Sequence, residues 1–79
     1  MSEEEIITKI QVGIPDAQVK LKDLTGSKDH WEAEIISSAF EGKSLIERHR
    51  MVFSTLEEEM KGPIHALTLK VLTPQQAQA

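Results

Sequence analysis

The chain has no cysteine and no tyrosine, and only one tryptophan and two phenylalanines in 79 residues. Without cysteine it can supply no disulfide scaffold, no thiolate nucleophile and no sulfur ligand to a metal. No apolar run approaches the ~20 residues that a membrane-spanning helix needs. Basic excess is also missing, because 13 Asp and Glu outnumber 9 Lys and Arg and leave a formal charge of −4. Backbone affinity for nucleic acid scales with the phosphates neutralised, so tight nonspecific binding is disfavoured. The start, Met1-Ser2-Glu3-Glu4-Glu5, is acidic and lacks the positive region of a signal peptide. Together these absences lead us to expect a cytoplasmic protein with no membrane association.

What is present suits one small globular domain over residues 1–79, with 39% apolar and 28% charged residues. A domain of this length buries only roughly 60% of its unfolded surface. Most of its apolar residues must build one core, which leaves little room for an enclosed substrate pocket. A binding role is therefore expected over an enzymatic one.

Ser2 and Glu5 have the spacing of a capping box, and Glu3, Glu4 and Glu5 suit the positive end of a helix dipole. Ile6, Ile7, Ile10 and Ile14 follow at helical spacing, and Gly13 and Pro15 are expected to end that helix. From Ala17 the period becomes two, with Val19 and Leu21 alternating with Lys20 and Lys22. After a polar loop, Trp31, Ala33 and Ile35 alternate with Glu32 and Glu34, which predicts an antiparallel hairpin. Ser44 with Glu47 announces a second helix over about Leu45 to Lys61, with an apolar stripe of Leu45, Ile46, Val52, Phe53, Leu56 and Met60. Gly62 and Pro63 stop it, Ile64 to Leu72 reads as a third strand, and residues 73–79 form a polar tail that frays or turns. The predicted class is α+β in the order α-β-β-α-β: a three-stranded mixed sheet with helices on one face. The strands flanking the second helix should run parallel through a right-handed crossover.

Three histidines carry candidate chemistry. A parallel pairing brings the start of the second strand, His30, and the start of the third, His65, to one edge of the sheet. Neutral imidazoles suit zinc or iron, but two are too few for a closed site, so a partner would complete it. Strand parity argues against convergence, because His65 shares its face with Leu67 and His30 shares its face with Glu32. His49 falls on the apolar stripe of the second helix and is expected to be a packed, hydrogen-bonded structural residue. Arg48 and Arg50 are expected elsewhere on that helix, paired with Glu47 or the run Glu57-Glu58-Glu59. Gly42-Lys43-Ser44 resembles the end of a phosphate-binding loop, but Ser37 stands where that pattern needs glycine. No serine has a histidine base and carboxylate orienter arranged with it, so a hydrolase is unsupported. Gly42, Lys43, Arg48 and Arg50 remain as donors that could reach nucleic-acid phosphates.

Phe40-Glu41-Gly42-Lys43-Ser44, Arg48-His49-Arg50-Met51-Val52, Ile64-His65-Ala66-Leu67 and Leu72-Thr73-Pro74 occur in this order, and the pattern resembles the BolA family. The resemblance covers nearly the whole chain and implies a fold similar to class II KH domains. It also implies a heterocomplex with a monothiol glutaredoxin, either apo or bridged by a [2Fe–2S] cluster. In the bridged form the glutaredoxin cysteine and glutathione would supply thiolates, and this chain would supply nitrogen. By that resemblance His65 is the key ligand and His30 the candidate second one. Imidazole ligation raises a cluster's potential, which suits sensing or transfer. The family is also described as containing DNA-binding transcription regulators of stress response and morphology. That alternative would use Gly42, Lys43, Arg48 and Arg50. A metal-free adaptor that binds glutaredoxin is a third reading, and a homodimer of the isolated chain stays open.

Overall fold

The computed structural model describes residues 2–24, 26, 30–62 and 66–78. Helix α1 spans Glu3–Gly13, with Ser2 as its N-cap: the Glu5 amide donates to Ser2 Oγ, and the Ser2 amide donates to Glu5 Oε1. The bond from the Ser2 amide, and after it one that Ser2 Oγ donates to Glu5 Oε1, hold the Glu5 carboxyl below the usual carboxylate range. Strands β1 (Gln18–Asp23) and β2 (His30–Ile36) pair antiparallel, from Gln18 opposite Ile36 to Asp23 opposite Trp31. A single 3-10 turn, Ser38–Phe40, leads to helix α2 (Leu45–Thr55), and helix α3 (Glu57–Met60) follows. Strand β3 (Ala66–Leu72) pairs parallel with β2, from His30 opposite Ala66 to Ile36 opposite Leu72. The sheet order is β1-β2-β3, and the parallel β2–β3 pair is joined through α2 and α3, the crossover that parallel pairing needs.

One core lies between the helices and one face of the sheet. Ile6, Ile10 and Ile14 from α1 and its end cluster with Val52 and Leu56, with Trp31, Ala33, Ile35 and Val71 of the sheet, and with the fully buried Phe40. Fully burying side chains of this size stabilises by roughly 1.5–3 kcal/mol each. The opposite face carries Lys20, Lys22, Glu32, Glu34 and Lys70, and register sets Lys20 against Glu34 and Lys22 against Glu32.

Four details depart from the expectations. The second helix breaks near Thr55 instead of running on to Lys61. Ser54 Oγ donates to Met51 O at 2.8 Å and Thr55 Oγ1 to Val52 O at 2.7 Å, a competition that disfavours helix continuation. Leu45 and Ile46 are not in its buried stripe but 65% and 66% exposed, because the buried line is Arg48, Val52 and Leu56. At 3.6 residues per turn Ile46 stands roughly 200° around the helix from Arg48. The glutamate run does not pair with the arginines: Glu59 lies 3.5 Å from Lys9 and Glu58 lies 3.7 Å from Lys61. The tail forms a fourth short helix, α4 (Pro74–Gln78). Thr73 Oγ1 accepts from the Gln76 amide and the Thr73 amide donates to Gln76 Oε1, the reciprocal capping pattern again, with Pro74 at the first helical position.

Candidate functional site

His30 is the first residue of β2 and is half-buried. The strand alternates regularly from His30 onward, so His30 lies on the open face with Glu32 and Glu34, and its backbone carbonyl accepts from the Leu24 amide at 2.9 Å. Its register partner across the parallel pair is Ala66. His65, which precedes Ala66 in sequence, lies outside the described residues. The register therefore sets His30 opposite the residue that follows His65 in sequence. Among the described residues, no group of three or more His, Asp or Glu side chains converges on a metal-sized site.

His49 is half-buried on α2, with its ring edge-to-face with Phe53 at 6.5 Å between centroids and 69° between planes. That contact lies one turn along the same helix.

The turn Glu41–Ser44 is built by local chemistry. Gly42 has φ +74°, a conformation that favours glycine, and the space around its Cα is open, so φ alone selects it. Lys43 N then donates to Phe40 O at 3.1 Å, and Ser44 caps α2 by accepting from the Glu47 amide. The Glu47 carboxyl accepts from the Ser44 amide at 3.1 Å, and this bond, with that to the Ser44 side chain and the nearby Lys43 and Arg50 charges, holds it below the usual range. Lys43 and Arg50 are exposed.

Arg48 does not belong to that exposed set. It is 8% exposed, and its guanidinium donates to Lys43 O at 3.0 Å, Val71 O at 3.2 Å and Gln76 Oε1 at 2.8 Å. These acceptors are neutral and fix the start of α2, the end of β3 and α4 to one another. A guanidinium held this way is unavailable to phosphate, so the four-residue nucleic-acid surface loses its Arg48. The sequence carried one unread signal of this network, the capping pattern Thr73-Pro74-Gln75-Gln76, which places Gln76 Oε1 beside the Arg48 donor.

A second polar junction also escaped the sequence reading. Asp16, in the turn after α1, accepts from the hydroxyls of Ser37 and Ser38 and from the Ser38 amide. These bonds, that from Ser37 Oγ the largest, pull the Asp16 carboxyl down to about 2. The junction fastens the α1–β1 turn to the far end of β2, away from His30.

The family described as BolA-like protein matches residues 9–76. The chain belongs to the BolA-like family. It is 41% identical to Protein BOLA2 of Arabidopsis thaliana over 78 residues, covering 96% of this chain and 83% of that protein. Against BolA-like protein 1 of Bos taurus it is 36% identical over 81 residues, covering 94% of this chain and 60% of that protein. This BolA-like chain thus spans about 60% of the length of that mammalian relative. The structure of a BolA protein homologue from Coxiella burnetii superposes with a TM-score of 0.86 at 30% identity, covering 100% of this chain and 99% of that one. The turn at Gly42 and the sequence Arg48-His49-Arg50 of this BolA-like protein therefore lie inside the matched region, and the capping residue Gln76 is its last position.

Proposed function

We propose that this BolA-like protein is a non-enzymatic accessory in iron–sulfur handling or redox and iron regulation, pairing with a monothiol glutaredoxin and sharing a [2Fe–2S] cluster through His65 and His30. The observation that carries the reading is the parallel register of β2 and β3, which sets His30 opposite Ala66, the residue after His65. The donor set agrees with sharing rather than ownership. A [2Fe–2S] cluster takes four ligands, and a chain that has histidine but no cysteine to give needs thiolates from elsewhere. Those would come from the glutaredoxin cysteine and from glutathione. When bound, the cluster supplies one-electron chemistry and iron for transfer.

This chain's own part would be to present imidazole nitrogen from the start of β2 and from the residue before β3, with β2 backed by the core that includes Trp31. Acid weakens such ligation, because a protonated imidazole has no lone pair to give.

The test is a visible circular dichroism titration of a cluster-loaded monothiol glutaredoxin homodimer with this chain, run for wild type, His65→Ala and His30→Ala. A new spectrum saturating at one-to-one stoichiometry with wild type and absent with His65→Ala is the expected result, with His30→Ala weakening or altering it. If wild type leaves the cluster spectrum unchanged, the mechanism is wrong for this chain. If His65→Ala gives the wild-type spectrum, the ligand assignment is wrong.

A further inference from the structure

The two edges of the sheet are not equivalent. Ser37 N donates to Leu72 O at 3.0 Å, which points the Leu72 carbonyl at β2. Successive residues of a strand direct their backbone groups to opposite sides, so Leu67, Leu69 and Val71 direct theirs outward. The Val71 carbonyl agrees, since it accepts from Arg48 Nη1 and is thereby closed. At Leu67 and Leu69, no hydrogen bond outside the sheet takes the outward groups among the described residues. On the other edge, the bond from Leu24 N to His30 O turns Val19 and Leu21 outward by the same alternation.

A strand edge with unpaired N–H and C=O groups is a template for another strand, and proteins commonly guard such edges with lysine. Strand β1 is guarded. Pairing two β1 strands antiparallel about Leu21 would set Lys20 of one copy against Lys22 of the other, twice over. Like charges directly opposed across strands destabilise the pairing. Strand β3 has no such conflict. An antiparallel pairing about Thr68 sets Thr68 against Thr68, Leu67 against Leu69, and Lys70 against uncharged Ala66.

We propose that this chain self-associates through β3, antiparallel about a two-fold axis at Thr68, to join two three-stranded sheets into one of six strands. Leu67 and Leu69 then form hydrogen-bonded pairs with their counterparts, so the two copies exchange four backbone hydrogen bonds. The same leucines, half-buried at the margin of the core, meet on the helix side of the joined sheet. Arg48 at Val71 O limits the free edge, so the interface is short and belongs to the weak, reversible class.

Sedimentation velocity of the full chain from about 10 µM to about 1 mM covers that range of affinity. The expected result is a concentration-dependent shift toward twice the monomer mass for wild type. Thr68→Lys, an exposed substitution beside Glu32, should stay monomeric at the same concentrations because it opposes two lysines at the axis. Mixing Thr68→Lys with Thr68→Glu should restore a mixed dimer. In parallel, hydrogen exchange of wild type should show protection of the Leu67 and Leu69 amides rising with concentration, while Val19 and Leu21 stay unchanged. A wild type that is monomeric throughout would overturn the proposal. So would a Thr68→Lys variant that dimerises like wild type, which would assign association to another surface such as the exposed Leu45–Ile46 pair. Protection gained at Val19 and Leu21 instead would also overturn it.

Discussion

Gly13 is the last residue of α1 and stands where α1 meets α2. A methyl added there would overlap the γ-methyl of Thr55 and stand 3.4 Å from its Cβ. Two effects of Gly13→Ala oppose each other. Alanine is favoured over glycine by up to about 1 kcal/mol within a helix, and by less at its last residue. Overpacking a fixed contact costs about 1–3 kcal/mol. Neither helix can retreat easily, because Ile10 and Ile14 on one side and Val52 and Leu56 on the other are all at most 2% exposed. The overlap therefore wins, and Gly13→Ala should destabilise by about 1–2 kcal/mol, which for a domain of this size lowers Tm by roughly 4–8 °C per kcal/mol. Thr55→Ser removes the offending methyl and keeps the hydroxyl that donates to Val52 O. Alone it should cost at most about 0.8 kcal/mol, the value of one fully buried methylene. Combined with Gly13→Ala it should recover most of the loss, a coupling of about 1 kcal/mol or more in a double-mutant cycle. Equilibrium urea unfolding followed by fluorescence suits the measurement, since Trp31 is the sole tryptophan and 1% exposed. A Gly13→Ala variant as stable as wild type, or one that Thr55→Ser fails to rescue, would refute the close-approach argument.

Other substitutions test the polar junctions. Arg48→Lys keeps the charge but cannot reproduce the forked contacts to Lys43 O, Val71 O and Gln76 Oε1. It should lose about 2–4 kcal/mol in denaturant unfolding, at about 1.5–3 kcal/mol per bond to a charged group, and an unchanged midpoint would show that the network is dispensable. Asp16 has a folded pKa of about 2 against an ordinary 3.8, so the stability it confers is fully present above about pH 4 and disappears as pH falls toward 2. The gap in urea midpoint between wild type and Asp16→Asn should therefore narrow from pH 7 to pH 2.5; a gap that stays constant would exclude a carboxylate role. Gly42→Ala forces a side chain into φ +74° and should cost about 1 kcal/mol although nothing crowds the site, measurable as a lowered Tm.

Much of this protein was legible in one dimension because the relevant physics is local. Ser2 with Glu5 and Ser44 with Glu47 satisfy backbone groups within one helical turn, so their spacing announces both helix starts. Alternation along Val19–Leu21 and Trp31–Ile35 states which strand face is apolar, and a helix between two strands makes them parallel. That parallel pairing was enough to bring His30 to the edge where β3 begins.

What the tertiary structure decided concerns residues whose partners are distant in sequence. Arg48 reads as a surface cation beside Arg50, yet its acceptors on β3 and α4 come together only once the chain has closed, and there a long side chain can be buried with its donors satisfied. Leu45 and Ile46 read as core, but where α2 lies against the sheet selects Arg48, Val52 and Leu56 instead. Gly13 reads as a helix stop, whereas its missing side chain admits Thr55 of another helix. Asp16 and the pair Ser37-Ser38 are unremarkable in sequence and meet only because α1 and β2 end at the same corner. Periodicity and capping act within a few residues and so determined the elements and their order, while packing is a property of the closed chain and alone decided which side chains are free to bind.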